Sequence, residues 1–453
     1  MAANFISKLK NKYFLSFPGT GISAILGMAT VAFLFWALPT NVYGIWIFFL
    51  TTYSLIDTFR SGFITTAFIK FYAGAEEKRG TEIVGSTWLL AYGITILLSG
   101  ISLVGFLFSD KIKDPGTQLF FKWFAITFIV TLPSFIATCV MQAEQRFDRF
   151  LQIRFISQGL FLAIVIVLMA MKKANLQNVV YANIITGAVT SLLAIVRGWA
   201  RVSSVRHRTR KGVGEMFQFG KYTVGTTLSS NLSSSADIFI INFMLGSAAV
   251  AIYNLGQKLV QTIEMPLSSF AATGMPELSA AYNKGDKAQV IQTMKKYAGM
   301  ITWGLMPVCL FFIVFANIAI LIIGGGAKHA GLGSLTGNEA ANVLRIFMTF
   351  ALLYPLDRFI ALTLDVIHQP RINFIKVLVM MAGNVAADFL GIYIFKNIYG
   401  VALATVVPAL IGISIGYWAL RRYMPFNLLS VYKVGYNEFK SLIRQRLQKT
   451  KNV

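Results

Sequence analysis

The sequence predicts an all-α membrane protein in which twelve transmembrane helices form two lobes of six. Of its 453 residues, 56% are hydrophobic and only 13% are charged, whereas soluble domains average about 25% charged residues. Apolar runs of about 20 residues, the length that crosses a bilayer, recur along the chain. Short polar loops separate these runs. The excess apolar surface must therefore face lipid, and a soluble fold is excluded.

The predicted spans follow one another closely. In order they cover residues 15–38, 41–69, 83–109, 117–141, 150–171, 176–197, 216–244, 248–272, 298–323, 341–366, 371–395 and 398–420. Cys139 and Cys309 fall inside spans and are predicted to be buried hydrophobic residues. Prolines inside spans, among them Pro133 and Pro355, permit bends. Residues 421–453 place apolar side chains at helical spacing among Lys and Arg, which predicts an amphipathic helix on anionic membrane lipids, with a solvated tail as the alternative.

The formal charge of +23 would indicate nucleic acid binding in a soluble chain, but here it reports topology. Twelve is an even number, so both termini share one side of the membrane. Twenty-eight Lys and Arg residues lie in loops and termini on that side, against six on the other. Lys and Arg collect in loops that stay in the cytoplasm. Both termini are therefore predicted to be cytoplasmic, and no nucleic acid partner is expected.

An internal repeat divides the predicted spans into two halves. The basic stretch RGWARVSSVRHRTRKG lies near the midpoint, and a shift of 207 residues places Asp57 on Glu264 and Trp46 on Tyr253. Because each half contains six spans, the two halves point the same way through the membrane. The predicted organisation is an N-terminal lobe at 1–200, a basic cytoplasmic linker at 201–215, a C-terminal lobe at 216–420 and a cytoplasmic tail at 421–453.

Charged residues inside the spans are the candidate functional groups. They are Arg60, Lys122, Lys221, Lys258, Arg345, Arg358, Lys376, Asp57, Asp237, Glu264, Asp357, Asp365 and Asp388. A charge at mid-membrane costs about 2.5–3.5 kcal/mol, so these side chains are expected to face the bundle interior or a wet cavity. Asp57 and Arg60 stand on one helical face and can pair. Two interpretations stay open: the pair only neutralises itself, or Arg60 lines a cavity as an anion site that Asp57 tunes.

Several of these bases lie at increasing depth from the predicted cytoplasmic side. Such an arrangement suits an anionic headgroup that enters from that side. Arginine fits phosphate oxygens through its planar fork of donors, and lysine acts as a point charge. Snorkelling to the interface explains Lys221 and Lys376 about equally well, but it does not explain Arg60 and Arg358. The candidate substrate-binding set is Arg60, Lys221, Lys258, Arg358 and Lys376, with Asp57, Asp237 and Glu264 as ion-pair or ion-coupling partners.

Other kinds of site are not indicated. The glycine-rich loop at 324–337 lacks the Lys-Ser/Thr ending of a phosphate-binding loop and is predicted to be a flexible connector. His207, His329 and His368 lie in loops without metal-ligand spacing. The sequence contains no nucleophile motif and no extramembrane loop long enough for a catalytic domain. No metal, no cofactor and no enzymatic activity are therefore expected.

Two stretches resemble a known family. The first is SLIDTFRSGFITTAFIKFYAGAEEK in span 2. The second opens the C-terminal half and contains Phe219-Gly220, Asp237 before an Ile-rich run, Leu245-Gly246, and Pro276-Glu277-Leu278-Ser279 before a short polar loop. On these residues the chain resembles the Wzx-type lipid-linked oligosaccharide flippases of the multidrug/oligosaccharidyl-lipid/polysaccharide (MOP) superfamily.

The resemblance implies a MATE-like fold with two six-helix lobes around a central cationic cavity. It further implies that an undecaprenyl-pyrophosphate glycan is turned from the inner to the outer leaflet of a bacterial cytoplasmic membrane by alternating access. Arg60 stands where related peptidoglycan-precursor flippases place an arginine, which implies a substrate contact. Other polysaccharide assembly proteins would be its partners.

Three alternatives stay open: a cation-coupled multidrug exporter of the same superfamily, a membrane polymerase or ligase, and a scaffold of the polysaccharide assembly machinery. The short loops disfavour the enzyme. The seven bases against six acids inside the spans disfavour an exporter of cationic drugs.

Overall fold

A computed structural model of the chain describes residues 12–324 and 335–451. Most of the glycine-rich loop predicted as a connector, including His329, lies outside the described residues, as does most of the basic segment before the first predicted span. Within the described ranges the chain is helical almost throughout.

The helices follow the predicted order of spans. They are α1 (Lys12–Ala37), α2 (Thr40–Tyr72), α3 (Glu77–Leu107), α4 (Pro115–Val130), α5 (Leu132–Ala143), α6 (Phe147–Ala170), α7 (Leu176–Val196), α8 (Arg210–Leu245), α9 (Ser247–Asn283), α10 (Lys287–Val314), α11 (Ala316–Gly324), α12 (Leu335–Ala351), α13 (Tyr354–Val366), α14 (Pro370–Phe395), α15 (Ile398–Ala404), α16 (Val406–Tyr423) and α17 (Leu429–Lys451). Short 3-10 helices cover Ser109–Lys111 and Val202–His207.

Several helices are long and apolar enough to cross a membrane. Over the described ranges there are seven such segments, or nine if each of two bent helix pairs counts as one span. The chain is therefore a multi-pass helical membrane protein, as predicted. The number twelve and the cytoplasmic placement of the termini stay predictions.

Two helix pairs are bent, one in each predicted half of the chain. Helices α4 and α5 meet at 50°, and α12 and α13 meet at 44°; each pair corresponds to the fourth predicted span of its half. Pro133 and Pro355 lie in the first turns that follow the two bends, where the missing N–H of proline interrupts the helical hydrogen bonds. In addition, α2 begins at Thr40 and α9 at Ser247, and these starts are 207 residues apart.

The helices separate into two compact units, Met1–Ala251 and Ile252–Val453. The predicted lobe boundaries, with a second lobe beginning at 216, stay a prediction. In the first unit α8 packs closely along α2. A side chain at Gly220 would collide with the Phe63 carbonyl oxygen at 2.5 Å, and the Thr223 hydroxyl donates to the Gly62 carbonyl oxygen at 2.8 Å. Small residues at this contact let the two backbones approach, as is common between membrane helices.

The basic C-terminal helix α17 packs on α10 in the second unit. Gly299 and Gly435 face each other so closely that a methyl group on either would overlap the opposite backbone. Trp303 donates its Nε1–H to the Tyr432 carbonyl oxygen at 3.0 Å, and its ring lies 5.2 Å from the Tyr436 ring. One face of the predicted amphipathic tail is therefore covered by protein, and contact of its other face with anionic lipid stays a prediction.

Candidate functional site

Arg60 is buried inside the first unit and bonded to Asp57. Only 1% of Arg60 is exposed, and its Nε and Nη2 atoms lie 3.0 and 2.6 Å from Asp57 Oδ1. The guanidinium carbon also lies 3.9 Å from the ring centroid of Phe128 and 4.6 Å from that of Phe135. The rings and the carboxylate together stabilise a cation that lipid could not accommodate. The two residues pair as their spacing on α2 predicts.

Arg60 also stabilises the bend between α4 and α5. Its Nη1 donates to the Phe128 carbonyl oxygen at 3.1 Å, and the Thr131 hydroxyl donates to the same oxygen at 3.2 Å. Ser191 of α7 donates to the Val130 carbonyl oxygen at 2.6 Å. The last carbonyls of a helix lack intrahelical donors, and in an apolar environment each would be costly. Side chains from neighbouring helices therefore satisfy the end of α4.

A second buried ion pair lies beside the other bend, in the second unit. Lys376 of α14 is 1% exposed, and its Nζ lies 2.7 Å from Asp357 Oδ1 in the first turn of α13. Gly412 of α16 leaves room for this carboxylate, since a methyl group there would overlap Asp357 Oδ1. Lys376 does not snorkel, because its ammonium group is buried and paired.

The other predicted bases of the second unit are accessible. Arg358 follows Asp357 on α13 and is exposed. Among the described residues it forms no ion pair. On α9, Lys258 is half-buried and Glu264 exposed, and the Lys258 ammonium lies 3.5 Å from Gln261 Oε1. In this unit Lys376 pairs with Asp357, whereas Arg358 presents its charge to the surface.

Both remaining candidates lie on α8 in the first unit. Lys221 is exposed, and Asp237, four turns further along the helix, is buried. Asp57 keeps 30% of its side chain exposed, so its second oxygen is reachable from outside the helix packing. The predicted roles of all these residues in substrate binding and ion coupling stay predictions.

Several polar contacts that tie the helices together were not predicted from the sequence. Asp114 caps α4 by accepting from the Thr117 N–H at 2.7 Å, and its other oxygen accepts from Asn242 of α8 at 2.9 Å. The Asp-Pro pair that opens α4 was the available signal for the cap. Nothing in the sequence indicated the contact with Asn242, because 128 residues separate the partners.

A second set of such contacts joins loops and helix ends of the first unit. Glu144 accepts from the Tyr72 hydroxyl at 2.9 Å and from the guanidinium of Arg201. Arg79 pairs with Glu82 at 3.1 Å and with Glu215 of α8. Surface pairs of this kind contribute little individually, but the Arg79 network joins the start of α3 to the start of α8.

The fold and its paired intramembrane charges define a polytopic helical membrane protein built around bent spans. Residues 37–327 match the model of a family described as polysaccharide biosynthesis protein, and the chain belongs to that family. This membership confirms the resemblance drawn from span 2 and the start of the second half.

Three similar proteins illustrate the relationship. A curated relative, the "probable low-salt glycan biosynthesis flippase Agl15" of Haloferax volcanii, is 22% identical over 341 residues, which cover 74% of this chain and 68% of the relative. An inward-facing multidrug resistance MATE transporter of the MOP superfamily superposes with a TM-score of 0.73 at 15% identity, over 91% of this chain and 96% of that one. The lipid II flippase MurJ, in an inward closed conformation, superposes with a TM-score of 0.72 at 17% identity, over 96% of this chain and 93% of that one. The likeness to both structures confirms the predicted MATE-like fold.

Proposed function

We propose that this protein is a flippase that moves an undecaprenyl-pyrophosphate-linked oligosaccharide from the inner to the outer leaflet of the cytoplasmic membrane by alternating access. Membership of the polysaccharide biosynthesis family carries the proposal, and the relative named as a glycan biosynthesis flippase supports it. The multidrug alternative has only the fold in its favour.

The exposed cations are the groups that we expect to contact the diphosphate. Arg358 carries an exposed guanidinium in a bent span and has no ion pair within the described ranges. A charge so placed costs several kcal/mol against hydrocarbon, so its surroundings must be wet or must hold an anion. Lys221 and Lys258 are the other accessible members of the predicted set.

Arg60 and Lys376 act differently in this proposal. Each is already paired with a carboxylate and buried, so each first stabilises the fold of its own unit. Contact of Arg60 with substrate requires its guanidinium to leave Asp57. A ligand shifts a conformational equilibrium only through its differential affinity for the two states, so a diphosphate that competes with Asp57 for Arg60 in one state would couple binding to a change at the bend.

The test is a flipping assay in proteoliposomes. A fluorescent undecaprenyl-pyrophosphate oligosaccharide is incorporated, and dithionite reports the fraction in the outer leaflet with time. We expect protein-dependent flipping, at least tenfold slower in Arg358→Gln, because the variant loses a charge-assisted contact with the diphosphate. Lys113→Gln removes an exposed loop charge and serves as the control. The proposal fails if the wild-type protein leaves this lipid unflipped, and the role of Arg358 fails if its variant flips at the wild-type rate.

A further inference from the structure

A pocket of about 550 Å³ lies in the first unit between the end of α2 and the start of α8. Its lining includes Phe71, Arg210, Lys211, Gly214 and Phe219. None of these residues belongs to the predicted substrate-binding set. The pocket opens to the surface, and its lining combines two cations with two aromatic rings.

The aromatic part forms an apolar floor. The rings of Phe71 and Phe219 meet edge to face with centroids 6.0 Å apart. Lys70 does not line the pocket, but its Nζ lies 4.0 Å from the Phe219 centroid. This cation–π contact helps to hold the Phe219 ring.

The rim is strongly positive. Arg210 and Lys211 are exposed, and within the described residues neither forms an ion pair. Glu215, the acidic residue of the lining, is paired with Arg79 and Arg79 also pairs with Glu82. The carboxylate of Glu215 is thus paired with Arg79, and Arg210 and Lys211 are the cations of the lining that can contact an anionic ligand.

The pocket lies beside the last turn of α2, a helix long enough to reach the headgroup layer of a bilayer. Helix α2 has 33 residues and is therefore about 50 Å long at 1.5 Å per residue. A bilayer measures about 30 Å across its hydrocarbon and about 40–45 Å with its headgroups. A helix of this length crosses the hydrocarbon and reaches the headgroups, so we expect its last turn, which carries Lys70 and Phe71, to lie at the level of the lipid headgroups.

We propose that this pocket binds the phosphate group of a lipid, with Arg210 and Lys211 on the phosphate and the Phe71–Phe219 floor under the first carbons of the chain. Arginine chelates phosphate oxygens and lysine contributes a point charge. An inorganic anion has no apolar part that could contact the Phe71–Phe219 floor. The lipid is either the polyprenyl diphosphate substrate docking before transport, which rests on the proposed function, or an anionic phospholipid, which does not.

Two variants test the pocket by different means. Arg210→Gln/Lys211→Gln removes the rim charges, and its control is Lys172→Gln/Lys173→Gln, an equally exposed pair elsewhere on the chain. Gly214→Leu fills the pocket and keeps every charge, because no atom lies within 4 Å of a side chain added at Gly214. Its control is Gly93→Leu, at a glycine that is equally unobstructed.

The measurement is lipid binding by the full-length protein in phosphatidylcholine nanodiscs, followed by native mass spectrometry. Undecaprenyl diphosphate, phosphatidylglycerol and inorganic pyrophosphate are titrated separately. We expect both pocket variants to bind at least one of the two lipids about tenfold or more weakly. Arg210→Gln/Lys211→Gln loses charge-assisted hydrogen bonds, and Gly214→Leu occupies the space of the ligand. Both controls should stay within about twofold of wild type. A loss confined to undecaprenyl diphosphate assigns the pocket to substrate, and a loss that includes phosphatidylglycerol assigns it to phospholipid.

Two results would overturn the inference. One is unchanged binding of both lipids by both pocket variants. The other is pyrophosphate binding as tight as that of either lipid, since the floor would then have no role. These results are distinguishable from a failure of the proposed flippase function. If the pocket variants flip normally and bind lipid as wild type does, only the pocket proposal is refuted. If the wild-type protein binds phosphatidylglycerol through the pocket but does not flip the glycan lipid, only the flippase proposal is refuted.

Discussion

Replacing Arg60 by methionine should destabilise the first unit, because the change removes one partner of a buried ion pair. Arg60→Met keeps an unbranched apolar stem but loses both bonds to Asp57 and the bond to the Phe128 carbonyl oxygen. Removing one member of a buried pair costs about 3–5 kcal/mol. The side chain of Asp57 is 30% exposed, so water can solvate part of the carboxylate that loses its partner. The expected destabilisation is therefore at the lower end of this range, about 3 kcal/mol.

Thermal unfolding of the purified protein in detergent measures this effect. For a unit of about 250 residues, each kcal/mol shifts the Tm by about 2–4 °C, which predicts a decrease of about 6–12 °C. Arg206→Met, at an exposed arginine of the 3-10 helix, is the matched control and should melt near the wild-type temperature. The double variant Asp57→Asn/Arg60→Met should lose less than the sum of the single variants, with a coupling of about 1–3 kcal/mol.

A wild-type melting temperature for Arg60→Met would refute the structural role argued for the pair. If that variant also failed to flip glycan, Arg60 would instead be a substrate contact, as the family resemblance implies. Additive single and double variants would show that Asp57 and Arg60 are not coupled in the folded protein.

Three further changes test the second unit by the same thermal unfolding assay or by proteolysis. Lys376→Met should lower the Tm because it leaves the Asp357 carboxylate without its buried partner, at a cost of about 3 kcal/mol; Asp357→Asn in the same chain should recover part of the loss, and no recovery would contradict the pairing. Gly412→Ala should cost about 1–3 kcal/mol by crowding Asp357, and an unchanged Tm would show that α16 can shift. Gly435→Leu should separate α17 from α10 and make the tail more sensitive to trypsin, whereas Asn437→Leu, at an exposed position of the same helix, should not; equal digestion of both variants would argue against the close helix contact.

The sequence predicted features that depend on local spacing. Apolar runs predicted the helices, and the three-residue separation of Asp57 and Arg60 predicted their pairing on one face of α2. Pro133 and Pro355 permitted bends, and both bends occur where these prolines interrupt the helical hydrogen bonds. The shift of 207 residues anticipated where α9 begins relative to α2.

Contacts between distant residues could not be predicted in this way. Lys376 and Asp357 lie on different helices, and the space for their bond depends on Gly412 of a third helix. The packing of α8 on α2 depends on glycines whose role is visible only once the two backbones are side by side. The tail was predicted from its amphipathic pattern to lie on lipid, but that pattern does not distinguish a lipid surface from the surface of α10.

The bend between α4 and α5 has a mechanical consequence. Its terminal carbonyl oxygens accept hydrogen bonds from the side chains of Arg60, Thr131 and Ser191, which can rotate, and not only from a rigid helical ladder. Side-chain donors of this kind can follow a carbonyl oxygen when it shifts, so a change in the angle of this bend need not leave these oxygens without a donor in hydrocarbon.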